Sequence, residues 1–149
     1  MSEIKRLLWE QCMAKQTELM ESAKSAMLQS QESANEQKGT MGDKFESFRE
    51  QMQIDRDMHA RQYDAALQGL AVLKKIDPEK KNIQVALGAL VITETQKLFI
   101  AASLGQVKIG AEVYVAVSTS TPIYTGMAGK RKGDFFVFNN KKHQILELY

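Results

Sequence analysis

The chain has 149 residues, of which 44% are apolar and 26% are charged, and these values are typical of a globular protein rather than a disordered or fibrous one. The formal net charge is only +2. So small a charge argues against the broadly basic surface of a dedicated duplex-binding protein. One ordinary domain or two small ones are expected, because a single core seldom organises fewer than about 50 residues unaided.

Nothing in the chain has the length and apolarity of a membrane span. The longest apolar stretch, from Val85 to Ile92, is far shorter than the ~20 residues that a spanning helix needs. The amino terminus has only a three-residue apolar run before charge returns. The single cysteine, Cys12, has no partner for an internal disulfide. We therefore expect a soluble cytoplasmic protein that is not exported, and we assign Cys12 no role as a nucleophile.

Residues 1–76 are predicted to form two helices. They contain no proline and are rich in Gln, Glu, Ala, Met and Ser. In the second helix, residues spaced by three or four form one stripe, and the first helix has a weaker one. The second stripe comprises Phe45, Phe48, Met52, Asp55, His59, Tyr63, Ala66, Leu70 and Leu73, and the first Ile4, Leu8, Cys12, Leu19, Ala23, Ala26 and Met27. The two stripes predict an antiparallel coiled-coil hairpin.

The turn of this hairpin and its end are marked by glycine and proline. Gly39 and Gly42 interrupt the helical pattern and allow the chain to reverse, which predicts a hairpin tip near residues 38–46. Pro78 disfavours helical geometry at the residue before it, so the second helix should end near Lys75. The predicted division is a helical hairpin over residues 1–76 and a second domain over residues 77–149.

Residues 77–149 are predicted to form a small sheet. They hold both prolines and nearly all of the valines. The terminal segment reads as a hairpin turning at Asn139-Asn140, because asparagine tolerates positive φ. Pro122 and Gly129 suggest the start and end of one short helix. Strand signals lie at residues 83–91, 98–101, 113–117, 135–138 and 141–149. The fold class is therefore predicted to be α+β, a helical hairpin followed by a β-rich domain.

A motif in the second domain resembles a known family. The stretch Thr121-Pro122-Ile123, then Gly129-Lys130, then Gly133-Asp134 is similar to the Ser-Pro-Ile-Gly, Leu-Gly-Lys and Gly-Asp signature of bacterial Gre transcript-cleavage factors. The order of elements, a helical hairpin before an FKBP-like β domain, is also that of the Gre factors. The resemblance implies that RNA polymerase is the partner and that Thr121, Pro122, Ile123, Gly129 and Lys130 contact it.

The predicted hairpin tip carries a second similarity. Gre factors have an acidic tip written Asp-Leu-Lys-Glu-Asn, and Asp43 and Glu46 have the same spacing here, with Ser47 in place of the asparagine. The resemblance implies that the hairpin enters the secondary channel of RNA polymerase. Asp43 and Glu46 would there help to hold a second Mg²⁺, so that the polymerase cuts backtracked RNA near its 3′ end. The isolated protein is expected to bind no metal tightly and to be no enzyme by itself.

Several alternatives remain open at this point. Asp43 and Glu46 also have the spacing of a helix capping box. A protein of the same shape could occupy the channel without stimulating cleavage, which the Ser47 departure favours. The β domain could be a prolyl isomerase, or the chain a structural coiled-coil protein. Aromatic walls for an isomerase pocket would come from Phe99, Tyr114, Phe135, Phe136 and Phe138.

Three further expectations concern surface and assembly. His143 lies beside Lys141 and Lys142, and we expect it to be solvent-exposed in an edge strand. The run from Lys130 to Lys132 is expected to be a solvated loop, with phosphate or an acidic partner as the alternative. A monomer is expected because the hairpin buries its own seam.

Overall fold

A computed structural model describes residues 1–36 and 46–149. It contains two long helices, α1 (Ser2–Glu36) and α2 (Glu46–Lys74). The described chain forms two compact units, one of residues 1–15 and 70–149 and the other of residues 16–69. The end of α2 at Lys74 agrees with the predicted end near Lys75, whereas the domain division at Ile76 stays a prediction. Residues 38–45 of the predicted tip, which spans residues 38–46, lie outside the described residues.

The two helices pair in antiparallel fashion. The indole Nε1 of Trp9 donates to the carbonyl oxygen of Leu73 at 2.8 Å, and the Nε2 of Gln16 donates to that of Ala66 at 2.9 Å. Seven residues forward along α1 thus correspond to seven residues back along α2. This register confirms the predicted antiparallel hairpin.

In the unit of residues 16–69, one part of the predicted seam is wrong. Leu19 is 53% exposed, whereas Gln16 is only 6% exposed. The buried residues of α1 follow steps of four, through Leu8, Cys12 and Gln16. Residues four apart form one of the ridges on a helix surface. Leu19 is three residues beyond Gln16 and falls to the side of that ridge.

The other unit is built on a six-stranded sheet. Its strand order is β3-β4-β2-β1-β6-β5, and every neighbouring pair is antiparallel except β2 and β4, which are parallel. One short helix, α3 (Pro122–Met127), lies between β4 and β5 in the chain. The strands are β1 (Leu90–Thr93), β2 (Lys97–Ile100), β3 (Gly105–Ile109), β4 (Glu112–Val117), β5 (Phe135–Phe138) and β6 (Lys141–Leu148). The predicted α+β class, a helical hairpin followed by a β-rich domain, is confirmed.

Apolar side chains are buried on both faces of this sheet. Neighbouring residues of one strand, such as Leu98 and Phe99, belong to different buried clusters, as expected when successive side chains point to opposite faces. Leu8 and Leu73 pack on the Phe99 face, whereas Ile123 of α3 packs on the Leu98 face. The ends of the long helices therefore cover one face, and α3 covers the other.

The aromatic residues proposed to line an isomerase pocket are divided between these clusters. Phe99 and Tyr114 belong to the cluster with the long helices, whereas Phe136 and Phe138 belong to the cluster with α3. Phe135 is 47% exposed. The five residues therefore do not form the walls of one pocket.

The predicted strand at residues 83–91 is largely wrong. The strand begins only at Leu90, and Ile83 is 72% exposed. Gly88 has a φ of +89°, and the side chain of Ile76 lies 3.0 Å from the position that a Cβ at Gly88 would take. The buried Val85 pairs its backbone with Gly129 and Lys130 at 2.9 and 2.8 Å. The alternation in this segment comes from loop packing rather than from a strand.

The terminal hairpin is confirmed and one strand was not predicted. Asn139 and Asn140 have φ values of 53° and 61°, which a two-residue hairpin turn of this hand requires. The unpredicted strand is β3, whose Val107 and Ile109 alternate before a turn at Gly110. That short alternation was the sequence signal that could have predicted β3.

Within residues 1–36 and 46–149, none of the helices combines the length and the apolar character that crossing a membrane requires.

Candidate functional site

The predicted metal ligands at the tip are not both described by the structure. Asp43 lies outside the described residues, and Glu46 is placed only as the first residue of α2. The metal site and the capping box both stay predictions. Among the residues that the structure describes, no group of three or more His, Cys, Asp and Glu side chains is arranged to hold a metal ion.

The other predicted site lies at the start of α3. Thr121 precedes the helix in extended geometry, and its Oγ1 donates to the carbonyl oxygen of Ser118 at 2.8 Å. Pro122 occupies the first turn, where a missing backbone N–H is tolerated because the first N–H groups of a helix have no partner within it. Ile123 and Met127 are 8% and 0% exposed. The buried pair therefore anchors α3 on the sheet and leaves Pro122 facing solvent.

The turn after α3 is held by backbone hydrogen bonds. Gly129 adopts a φ of +76°, and its N–H donates to the carbonyl oxygen of Val85 at 2.9 Å. The carbonyl oxygen of Lys130 accepts from Val85 in return. Asp134 closes the next turn, since its Oδ2 accepts from the backbone N–H of Arg131 at 2.8 Å. The Gly-Lys and Gly-Asp parts of the motif thus build two consecutive turns.

The five residues predicted to contact a partner differ in their access to solvent. Pro122 and Gly129 are exposed, and Thr121 and Lys130 are half-buried. Ile123 is in the core, so its side chain supports this surface from beneath. We call residues 121–130 the α3 segment; its role in binding stays a prediction.

The positive charge of the loop at residues 130–132 is partly compensated. The Nζ of Lys132 lies 3.0 Å from the Oε2 of Glu147, and both side chains are substantially exposed. Pairs of this kind contribute little to stability. The pair of Lys132 and Glu147 reduces the positive charge that this loop presents to a partner.

A polar cluster around His143 was missed, and the prediction that His143 is exposed in an edge strand is wrong. Strand β6 is internal in the strand order, pairing with β5 through residues 141–144 and with β1 through residues 145–148, and the His143 side chain is only 11% exposed. Its ring stacks on Phe136, with centroids 5.3 Å apart. The hairpin register pairs these two residues. The Asn139-Asn140 turn was therefore a signal that could have placed His143 beside Phe136.

Glu94 completes this cluster. Its Oε2 accepts from the backbone N–H of Gln144 at 2.9 Å, and its Oε1 lies 2.9 Å from the Nδ1 of His143. The backbone N–H of Gln144 is the main reason that the pKa of Glu94 lies below its ordinary value, and His143 contributes further. The arrangement fastens the loop between β1 and β2 to β6.

Strand β5 presents an apolar outer face on the side away from α3. Phe135 and Val137 are 47% and 64% exposed, and the Nζ of Lys142 lies 4.3 Å from the centroid of the Phe135 ring. A Cβ at Gly126 would lie 3.2 Å from the carbonyl oxygen of Val137, so α3 approaches β5 closely at this glycine. Because Phe136 packs in the cluster with α3, the alternation along β5 points Phe135 and Val137 away from α3.

Comparison with known proteins gives only distant likenesses. No protein-family model matches the chain, and no curated protein matches it. One similar solved structure is described as that of the transcription factor Gfh1, with 13% identity, a TM-score of 0.39 and coverage of 92% of each chain. Another is described as the GreA factor homolog 1 (Gfh1) protein of Thermus thermophilus, with 11% identity, a TM-score of 0.35 and coverage of 95% of this chain and 92% of that one. Likenesses at this level carry no argument about function.

Proposed function

We propose that this protein is a transcription factor that binds RNA polymerase, with its helical hairpin in the secondary channel and its β domain outside. The observation that carries the proposal is the position of the motif that resembles Gre factors. Its parts fall on α3 and on the two turns that follow, in a β domain that comes after a helical hairpin. A motif that coincides with one compact surface is better support than scattered identities.

The α3 segment is the proposed polymerase contact of the β domain. Pro122, Gly129 and Lys130 would touch the partner, whereas Ile123 would hold α3 in place from the core. An exposed patch that combines apolar and cationic side chains is suited to a protein partner.

The proposed action at the hairpin tip is to stimulate cleavage of backtracked RNA near its 3′ end. Asp43 and Glu46 would supply two carboxylate ligands to a Mg²⁺ that the polymerase also holds. When bound, such an ion lowers the pKa of a coordinated water and offsets charge on the attacked phosphate. The chain's own contribution is to carry two carboxylates to that place, because two ligands are too few to retain Mg²⁺ tightly in water.

The test is RNA cleavage by a halted, backtracked elongation complex of the cognate polymerase in millimolar Mg²⁺, with and without this protein. We expect the protein to accelerate shortening of the RNA 3′ end. Combined Asp43→Ala and Glu46→Ala substitutions should abolish the acceleration while polymerase binding is retained. The matched control removes the same charge from α2 through Glu50→Ala and Asp57→Ala, both exposed, and should leave cleavage unchanged.

A second candidate, a channel-occupying regulator without cleavage activity, is favoured by Ser47 at the position of the family's asparagine. It predicts polymerase binding and altered initiation with no RNA shortening. Cleavage that survives the double tip substitution would contradict the metal-ligand assignment. Failure to bind polymerase at all would contradict both candidates and leave a structural role for the hairpin.

The contact proposed for the β domain has its own test. Lys130→Glu reverses a charge at the α3 segment while retaining the backbone groups that pair with Val85. We expect Lys130→Glu to weaken polymerase binding. Lys108→Glu changes a residue of β3, the edge strand farthest from β5 in the strand order, and should leave binding unchanged. Equal polymerase affinities of the Lys130 and Lys108 variants would mean that the β domain contacts polymerase through another surface.

A further inference from the structure

One cavity in the unit of residues 1–15 and 70–149 has no part in the proposed function. Its volume is about 250 Å³, and it lies between the start of α1, the turn after α2 and the end of β6. Apolar surface comes from Met1, Pro78 and Tyr149, and positive charge comes from Lys5, Lys80 and Lys81. The remaining lining residues are Ser2 and Glu79.

Lys5 is the unusual member of this lining. The residue is 1% exposed, although lysine is rarely buried completely without an anionic partner. Its Nζ donates to the backbone carbonyl oxygen of Lys80 at 2.6 Å. An ammonium group carries three N–H donors, so this bond leaves two of them for other acceptors. No carboxylate of the described residues lies within ion-pair distance of the Lys5 Nζ.

The acidic groups nearby have other partners. Glu79 forms an ion pair with Arg6. Asp77 accepts from the backbone N–H of Glu79 at 3.0 Å, which shapes the turn that presents Lys80. Burial lowers the pKa of Lys5 to about 8; Asp77 opposes this effect, and Lys80 adds to it. Lys5 is therefore a cation whose charge the protein compensates only in part.

We propose that this cavity binds a small molecule bearing an oxyanion, a phosphate or carboxylate group, with Lys5 as the buried cation that receives it. The ammonium group would donate to the oxyanion, and Lys80 and Lys81 would add charge at the rim. The apolar surface of Met1, Pro78 and Tyr149 would face the body of the ligand. Burying a charge is costly unless it is paired, and the ligand would complete that pairing. The inference is independent of the polymerase proposal.

The experiment is an NMR titration of the full-length protein labelled at lysine, with inorganic phosphate or acetate as the probe and chloride at matched ionic strength as reference. We expect saturable shifts at the Lys5 Cε and Nζ, together with a rise of about one pH unit in the pKa of Lys5. Phosphate and acetate together distinguish the two oxyanion classes. A response of Lys5 no larger with either probe than with chloride would overturn the proposal.

Variants make the test specific. Lys80→Ala with Lys81→Ala keeps the Lys80 carbonyl oxygen that holds Lys5, so the protein should fold, and we expect roughly 5-fold weaker binding. Lys132→Ala removes a lysine that pairs with Glu147 and should bind like the unmodified protein. In Lys5→Met the Lys80 and Lys81 signals are the remaining reporters at the cavity, and their saturable shifts should disappear. Unchanged affinity in the double rim variant, or equal loss in the Lys132 control, would contradict the site.

Discussion

The side-chain amide of Gln16 on α1 occupies the space that a Cβ at position 69 of α2 would need. The Cδ of Gln16 lies 2.9 Å from that position, and its Nε2 donates to the carbonyl oxygen of Ala66. Gln16 is 6% exposed, so the glycine allows a buried polar side chain to cross the helix seam. Helix propensity alone would favour alanine at this position by about 1 kcal/mol.

Gly69→Ala tests this relationship. We expect it to destabilise the protein, because displacing the buried amide costs about 1 to 3 kcal/mol and outweighs the gain in helix propensity. In a Gln16→Ala background the same substitution should stabilise by about 1 kcal/mol, since the obstruction is gone. Urea denaturation of the four proteins in the double-mutant cycle measures the coupling.

A control on the same helix separates propensity from contact. Ala65 is exposed on α2, and Ala65→Gly should cost about 1 kcal/mol in both backgrounds. Additive effects of Gly69→Ala and Gln16→Ala would show that the two side chains do not compete for space.

Glu94 should make stability fall in acid. Its pKa in the folded protein lies below its ordinary value, so the folded state favours the ionised form. The contribution of Glu94 to the free energy of unfolding is complete above the unfolded-state pKa, about 4.3. It is lost as the pH falls through the lower folded-state pKa. We expect Glu94→Gln to flatten the decrease in urea midpoint over this acidic range.

His143→Phe distinguishes the two hydrogen-bond donors to Glu94. The substitution keeps an aromatic ring against Phe136 but removes the Nδ1 contact. Because the backbone N–H of Gln144 is the larger cause of the lowered pKa, most of the acid dependence should persist. Its complete loss in His143→Phe would assign the effect to the imidazole instead.

Cys12 should resist thiol reagents in the folded protein. It is 0% exposed, and burial raises its pKa to about 11. At about pH 8 the thiolate fraction would be roughly 200-fold smaller than that of a free cysteine. Labelling with a chromogenic disulfide should therefore be slow in buffer and fast in urea. Fast labelling without denaturant would mean that α1 separates readily from the sheet.

The turn between β5 and β6 should prefer glycine at its second position. Asn140 has a φ of 61°, where a Cβ on most residues costs roughly 1 to 2 kcal/mol. We expect Asn140→Ala to destabilise by about 1 kcal/mol and Asn140→Gly to be neutral or stabilising by about 0.5 kcal/mol. Thermal or urea unfolding gives both values. An Asn140→Ala variant as stable as the unmodified protein would show that the turn adopts another conformation.

Local patterns predicted the elements whose own sequence decides them. The end of α2, the strand β4, the helix α3 and the Asn139-Asn140 turn were all predictable, because helix breakers, β-branched residues and positive φ act within a few residues. The motif on residues 121–134 could be recognised in the same way. Its proposed role still requires the polymerase.

Tertiary structure decided what depends on distant partners. The alternation of residues 83–91 predicted a strand, yet Gly88 meets Ile76 and Val85 pairs with the turn after α3. His143 is covered because its ring stacks on Phe136 and its Nδ1 lies against Glu94, and local periodicity does not encode these contacts. Lys5 is buried because the turn near Lys80 folds over α1. Sequence by itself thus determined the kinds of element and the turns, whereas burial, pairing and the cavity depended on contacts between residues far apart in the chain.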